Sequence, residues 1–328
     1  MTSVSSHGAV VTIRNRTNTW TSRPSLLGTR SLTIEWSAVH TTASSPNTAK
    51  ITIHNLSPKS QNAISDVVKR RITWTGPQLL ELALAGASTA PAELVSTNAG
   101  IAAVNLEVSE GTNSWLWFVG NSSKISAEGQ SLTLECADFV DQVGAAHVLP
   151  PRSFAKGTPV LDVVEAHINA MGLSVERPIL EREFYAQYAK LGKVKVSSDK
   201  LISAITTSGP AVDWLRKLFG ALKLTWMVHN GVLHLLGDDS VLSGYPPIEF
   251  KPSDGSLIGR PQRQEDGAIK FKCALRPGLI PARACRLHAD GLGSANYRIR
   301  SISSSGSNES GSLAEVTMEA LSTIPGVL

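Results

Sequence analysis

The sequence predicts a mainly β protein that carries a small α/β unit in its middle, and three observations predict it. Period-two alternation of β-branched and aromatic residues runs through residues 1–147 and returns after 245. Between them, two stretches switch to helical spacing, each with a proline near its start and a glycine near its end. Gly, Ser, Thr and Asn cluster between the strands, as a barrel or sandwich of short strands requires. The boundaries follow: a first β domain over 1–147, an α/β domain over 148–244 and a second β domain over 245–328.

In the first domain AVVTIRNR, SLTIEWSAV, AKITIHNL, RRITW, IAAVNLEV, SWLWFVG and SLTLECADF read as strands. One helix interrupts them, at about 58–69. At its start Ser57 serves as N-cap and Pro58 as first helical residue. Ala63, Ile64, Val67 and Val68 would lie on the sheet, and His54 would point outward, opposite Ile51 and Ile53. VLPPRSFAKG, 148–157, reads as a linker, because Pro150-Pro151 extends neither a ladder nor a helix.

The α/β domain opens on TPVLDVVEAHINAMG, with Thr158 as N-cap, Pro159 as first helical residue and Gly172 as stop. SGPAVDWLRKLFG repeats the pattern, with Ser208 or Gly209 as cap, Pro210 next and Gly220 as terminator. LTWMVHNGVLHLL is a hairpin on a type I′ turn at Asn230-Gly231. That register puts Trp226, Val228, Leu233 and Leu235 on the core face. It leaves His229 and His234 diagonally adjacent and solvated on the other. In the second β domain AIKFKCAL, RACRLHA, NYRIRSIS and SLAEVTMEAL are strands, and SSSGSNESGS, 303–312, is a flexible hairpin tip.

Composition excludes several classes. At 328 residues, 42% hydrophobic and 18% charged, the chain is globular rather than disordered. The net charge of +4 is dispersed. Its longest basic cluster, Lys69-Arg70-Arg71, closes a helix and complements the helix dipole, so no nucleic-acid binding is expected. Cys136, Cys273 and Cys285 form no C-x-x-C pair. Cys136 and Cys273 fall in strand register as small buried residues, which fits a reducing compartment. The start MTSVSSHGAVV has no long apolar stretch, and LLELALAGA is short and holds Glu81, so neither a signal peptide nor membrane insertion is expected.

Chemistry-bearing patterns are weak. His229 and His234 lack a nearby third ligand for zinc. Asp238-Asp239 and Glu265-Asp266 read as turns, and Glu181 and Glu183 as a charged helix face. No G-x-S-x-G, Walker A or strand-linked G-x-G-x-x-G is present, and GLGSANY, 291–297, reads as a loop. No catalytic, cofactor-binding or metal residue is predicted, and no enzyme activity. Trp115 and Trp117 share a strand face, as core or as interface. They keep open a carbohydrate-binding β-sandwich, and His229, His234 and a distant acid keep open a hydrolase.

Residues 31–64, SLTIEWSAVHTTASSPNTAKITIHNLSPKSQNAI, resemble the N-terminal region of baseplate hub proteins of tailed bacteriophages. Asn47, Ala49, Ile51, Ile53, Asn55, Leu56, Ser57 and Pro58 carry the match, with His54 where an aromatic is common. GPAVDWLRKLFGALKLTWMVHNGVLHLL resembles the family's middle domain. GSLIGRPQRQEDGAIKFKCALRPGLIPARACRL, with Gly259, Pro261 and Pro277, resembles its C-terminal barrel. The resemblance implies two tail-tube-like β-barrel domains flanking the α/β domain. It implies a homotrimer that forms a pseudo-sixfold ring at the tail baseplate of a virion, made in the host cytoplasm. Implied partners are the chain itself, the tail tube protein and the central spike protein. Beside them stand the tape measure protein and a baseplate wedge or LysM-type hub-associated protein.

Overall fold

Strands from both ends of the chain join one sheet. The computed structural model describes residues 7–14, 19–22, 32–42, 47–69, 103–110, 113–138, 148–170, 173–190, 200–229, 232–237, 240–242, 244–289 and 296–321. The N-terminal part supplies β1 (His7–Arg14), β2 (Thr19–Thr21), β3 (Ile34–Thr41), β4 (Thr48–Ile53), β5 (Ala103–Glu110), β6 (Asn113–Glu128) and β7 (Ser131–Ala137). The C-terminal part supplies β13 (Ile248–Phe250), β14 (Ile258–Arg263), β15 (Ile269–Ala274), β16 (Ala284–Leu287), β17 (Asn296–Ser307) and β18 (Gly311–Ala320). Together they make a 13-stranded sheet in the order β14-β15-β18-β17-β3-β4-β7-β6-β5-β1-β2, with β16 on β17 and β13 on β16. The predicted strand RRITW lies outside the described residues.

The joint between the two ends is the antiparallel pair β17–β3, in register from Ser301↔Thr41 to Ser307↔Glu35. On either side of it one strand order recurs. The hairpins β3–β4 and β6–β7 stack as β3-β4-β7-β6, and the hairpins β14–β15 and β17–β18 stack as β14-β15-β18-β17. The repeat extends to residues. Lys50 faces Glu135, which faces Lys124, in the first unit. Lys272 faces Glu315, which faces Ser303, in the second.

Alternation along these strands sends one set of side chains inward. Ile34, Trp36, Ile51, Ile53, Val104, Leu106, Leu132 and Leu134 share a single core with Phe271, Cys273, Ile299, Ile302, Val316 and Met318. The sheet curls over this core, so Trp117 Nε1 donates to Ser304 Oγ across it at 3.0 Å. The two predicted barrels are therefore not separately closed among the described residues. β3 and β17, which could each close their own unit, are used up on each other. Trp117 is the extra residue of a bulge, since Leu106 faces Phe118 and Glu107 faces Leu116. The bulge turns both Trp117 and Phe118 into the core.

The middle of the chain folds as β8 (Val148–Phe154), α2 (Val160–Ala170), β9 (Ser174–Val175), α3 (Arg177–Lys190), β10 (Ile205–Pro210), α4 (Ala211–Ala221), β11 (Thr225–His229) and β12 (Val232–Leu236). Its own core gathers Leu161, Val164 and Ile168, Leu180 and Phe184, Leu215 and Phe219, and the hairpin residues Trp226, Val228, Leu233 and Leu235. Arg177 of α3 reaches Asp162 at 2.9 Å and Glu165 at 2.6 Å on α2, and Glu181 of its own helix at 2.8 Å. Glu183 is buried against Arg182 rather than solvated.

Four local expectations are corrected. Residues 148–154 are a strand paired with β10, and Pro150-Pro151 falls where the register slips between Thr207 and Gly209; a bulge tolerates prolines that a regular ladder does not. Pro159 accepts the first helical bond of α2, so it is the cap, and Thr158 Oγ1 turns back to Ala155 O. Gly220 lies inside α4, and Lys223, with φ of 53°, makes the left-handed exit. Residues 303–307 and 311–312 belong to β17 and β18, so only 308–310 form the tip. The Asn230-Gly231 turn lies outside the described residues, but the pairs Met227↔His234 and His229↔Val232 give the predicted register.

The corner after β4 has a full physical account. Asn55 takes a left-handed conformation, φ 60°, which Asn tolerates better than most residues. Leu56 then turns inward, 1% exposed, and its N–H reaches Gln130 O at 2.9 Å. Ser57 Oγ accepts from Ser60 N at 3.1 Å and caps α1 (Pro58–Lys69). Ile64 is buried, whereas Ala63 is exposed, because a step of one residue turns about 100° around the helix. The side chains of Val67 and Val68 lie outside the described residues. We expect Asn55→Val to lower stability by about 1–2 kcal/mol and Ser57→Ala by about 1 kcal/mol. Asn55→Gly should be near neutral. The urea midpoint measures all three.

Candidate functional site at the seam between sheet and helical unit

The buried polar groups of this protein gather where the α/β unit meets the sheet. Asn47, between β3 and β4, is the first node. Its N–H donates to Asp138 Oδ2 at 3.0 Å, and Asp138 N donates to Asn47 O at 2.9 Å. Thr41 N donates to Asn47 Oδ1 at 2.9 Å, and Asn47 Nδ2 donates to Val228 O at 3.3 Å. Asn47 thus fixes the end of β7 through its backbone, and the end of β3 and hairpin strand β11 through its buried side-chain amide. Only a side chain with both donor and acceptor serves there.

Arg298 on β17 is the second node. It is buried, faces Glu319 on β18 and donates Nε to it at 2.8 Å. Its Nη1 donates to Gly237 O at 3.0 Å and Ser240 O at 2.7 Å, which holds the chain leaving β12 onto the sheet. Apolar contact completes the seam. Met227 and Leu236 pack with Leu242, Ile280 and Ala282.

The hairpin face read as solvated is therefore covered. His229 and His234 share it with Met227 and Leu236 and are only partly exposed. His40 of β3 lies nearby, buried, with its ring edge on Trp117 at 4.9 Å. Burial, with His229 as second cause, pushes the His40 pKa down to about 3. Burial and then His234 push His229 down to about 4. Burial also lowers His234, which the nearby Glu176 carboxylate opposes. Three neutral imidazoles thus line the seam.

Among the described residues no group of three or more His, Cys, Asp or Glu is placed to hold a metal ion. The cysteines are buried and free, and burial pushes each thiol up to about 12. Trp117 is a core residue and Trp115 packs against the same core, so the pair does not form a sugar platform.

The other motif residues do not meet at this seam. Ala49, Ile51 and Ile53 face the core from β4, beside Asn47. Gly259 takes φ 73° at an irregular step of β14, where Pro261 also sits. Pro277 precedes Gly278, φ 75°, in a turn closed by Leu279 N to Arg276 O at 3.4 Å. These lie across the sheet from β4. Sequence reading missed His40, Arg298 and His167. His167 is buried between Phe154 and Trp214, with Nδ1 donating to Val163 O at 2.7 Å. His40, at an inward position of alternating β3, carried a readable signal.

Solved structures resemble the chain over nearly its whole length. A tail protein from Neisseria meningitidis is similar at 10% identity and TM-score 0.52, covering 95% of this chain and 96% of that one. The 43 kDa tail protein of prophage MuSo2 from Shewanella oneidensis is similar at 10% identity and TM-score 0.51, covering 95% and 97%. A component of the type VI secretion system from E. coli, itself similar to two tail proteins of bacteriophage T4, matches at 9% identity and TM-score 0.50, covering 95% and 77%. No family model matches the chain. No curated protein matches it either. The resemblance to tail proteins read from the sequence is borne out at the level of fold.

Two predictions follow from the seam. Asn47→Ala removes the side-chain bonds to Thr41 N and Val228 O, at about 1–3 kcal/mol for each buried group; the urea midpoint should fall, and amide exchange in β11 should rise more than in β15. The second concerns acid. His40 and His229 titrate at 6.5 when unfolded and near 3 and 4 when folded. Stability is thus full above pH 6.5 and falls as acid protonates the unfolded chain alone. Each contributes a slope of about 1.4 kcal/mol per pH unit between 6.5 and its folded value. Denaturation of wild type and His40→Leu from pH 7 to 5 should show the smaller slope in the variant.

Proposed function

We propose that the chain is a structural hub of a phage tail or related particle, acting by assembly rather than by catalysis. Three copies form a pseudo-sixfold ring that joins the tail tube to a central spike, with tube protein and spike protein as neighbours. The observation that carries this reading is the repeated strand order on the two sides of the β17–β3 joint. Two like sheet units fused edge to edge count as two positions of a ring, so three chains fill six.

The outward face of the joined sheet supports the same reading. Glu35, Ser37, Lys50, Thr52, Thr133 and Glu135 continue into Ser303, Ser305, Glu315, Thr317, Lys270 and Lys272 across the joint. Val39 and Leu313 are also exposed on it, but the face is mainly polar and of mixed charge, which suits the wall of a water-filled channel. The α/β unit is anchored to the sheet through Asn47 and Arg298.

Sedimentation equilibrium of the purified full chain should give a mass of three protomers. Negative-stain averages should show a ring with sixfold outline. A monomer at the highest attainable concentration overturns the reading.

A further inference from the structure

Two arginines hang on the turn that follows β15. Arg276 opens the turn, since Leu279 N donates to Arg276 O at 3.4 Å, and Arg283 Nη1 returns to donate to Gly278 O. The fit is close: a Cβ on Gly278 would collide with that Nη1. Across from the turn runs the segment that enters β13. Arg276 Nη2 donates to Glu249 O, and Arg283 Nε donates to Pro246 O at 2.8 Å. Those two carbonyls are at most about 10 Å of extended chain apart. The Phe250 ring lies 4.7 Å from the guanidinium carbon of Arg276, and the Tyr245 ring 5.8 Å from that of Arg283.

The counter-charge is missing. Arg177, Arg298 and Arg300 each meet a carboxylate. Among the described residues Arg276 and Arg283 meet only backbone carbonyls. Glu249 spends its carboxylate on Lys251, Arg286 and His288. Asp254 lies close enough to act on Arg276, but Ser256 N holds its Oδ1 at 2.9 Å. The electrostatics follow this contrast. Glu181, with Glu165 and Asp162, raises the pKa of Arg177. Burial lowers that of Arg276, and burial with Arg276 as second cause lowers that of Arg283. Arg276 Nε is buried and has no hydrogen-bond partner. Two half-buried guanidiniums that repel each other, one with an unanswered donor, cost free energy until an anion joins them.

We propose that Arg276 and Arg283 form a binding site for a small oxyanion carrying two charges, seated on the turn 276–279. The donors left for it are Arg276 Nε and Nη1 and Arg283 Nη2. Guanidinium forks match the paired oxygens of phosphate and carboxylate. The site occurs in one sheet unit only. Leu56 and Leu275 hold equivalent corners, with their N–H groups on Gln130 O at 2.9 Å and Ser312 O at 3.5 Å. The first corner continues as Ser57-Pro58 into α1, the second as Arg276-Pro277 into the turn. A bound anion links that turn to the 245–250 segment. The chain just after the turn meets the α/β unit, since Ile280 and Ala282 pack with Met227 and Leu236, and Leu242 N donates to Ala282 O at 2.8 Å. The anion therefore stiffens the attachment of the α/β unit to the sheet.

Titration calorimetry and thermal melts of the full chain test the site, with phosphate and succinate as probes against chloride at equal ionic strength. Phosphate also stabilises proteins by exclusion from their surface. The readout is therefore saturation: one ion per chain, and a melting temperature that tracks occupancy of the site. Arg276→Gln and Arg283→Gln should each weaken binding about 10–100-fold. Both side chains also hold carbonyls, so a further variant keeps them. Pro277 is exposed and lies next to Arg276 in the turn. Pro277→Glu supplies a carboxylate there; relative to Pro277→Gln it should melt higher without phosphate and lose the phosphate response. Tighter binding of phosphate supports the site and assigns it a free tetrahedral ion. Tighter binding of succinate supports it and assigns the carboxylates of an acidic peptide segment. Titrations that do not saturate with either probe overturn the site, as does equal saturation in a folded Arg276→Gln variant.

Discussion

The pairing of β3 with β17 is the constraint on which the rest depends. Those strands are far apart in sequence, and their ladder turns two sheet units into one surface. With each strand engaged by the other, neither unit closes on itself. The inward faces then have no separate cores to fill, and residues from both ends of the chain share one. The ladder also decides what lies under the α/β unit. The pair Ile302↔His40 places His40 at the joint, and Arg298 lies four residues earlier on the same β17.

The seam is held by few but demanding contacts. A buried amide answers backbone groups of β3 and β11, and a buried guanidinium answers the Glu319 carboxylate and two carbonyls of the segment after β12. Such nodes add modest net energy when complete and cost much when broken. They specify one seating of the α/β unit, because a shifted unit would leave carbonyls or a charge without partners. The histidines act in the opposite sense. They are held neutral by burial, so the seam is stable only where imidazole is uncharged.

Much of this was legible in the sequence. The switch from strand to helix at Asn55-Leu56-Ser57-Pro58 could be read because every residue there has a local job: a left-handed turn, a buried anchor, a cap and a fixed φ. The hairpin register at Met227 and His234 was readable because period two and a two-residue turn determine it. The prolines at 150 and 151 misled, because the bulge they form in β8 tolerates what a regular ladder does not. His229 and His234 were read as solvated for a related reason. Alternation tells which residues share a face but not what covers that face.

The sequence by itself therefore determined the elements, the three-part order along the chain, the core face of each strand and the likeness to tail proteins. These depend on period, caps and turn residues, which act within a few residues of each other. The tertiary structure alone decided that the outer parts form one open, curled sheet, that a strand order repeats across its joint, and that Asn47, Arg298 and three neutral histidines meet at one seam. Those facts depend on contacts between residues up to 276 positions apart, such as Asn308 with Leu32. No local pattern records such contacts, because strand pairing satisfies backbone groups that every residue carries alike.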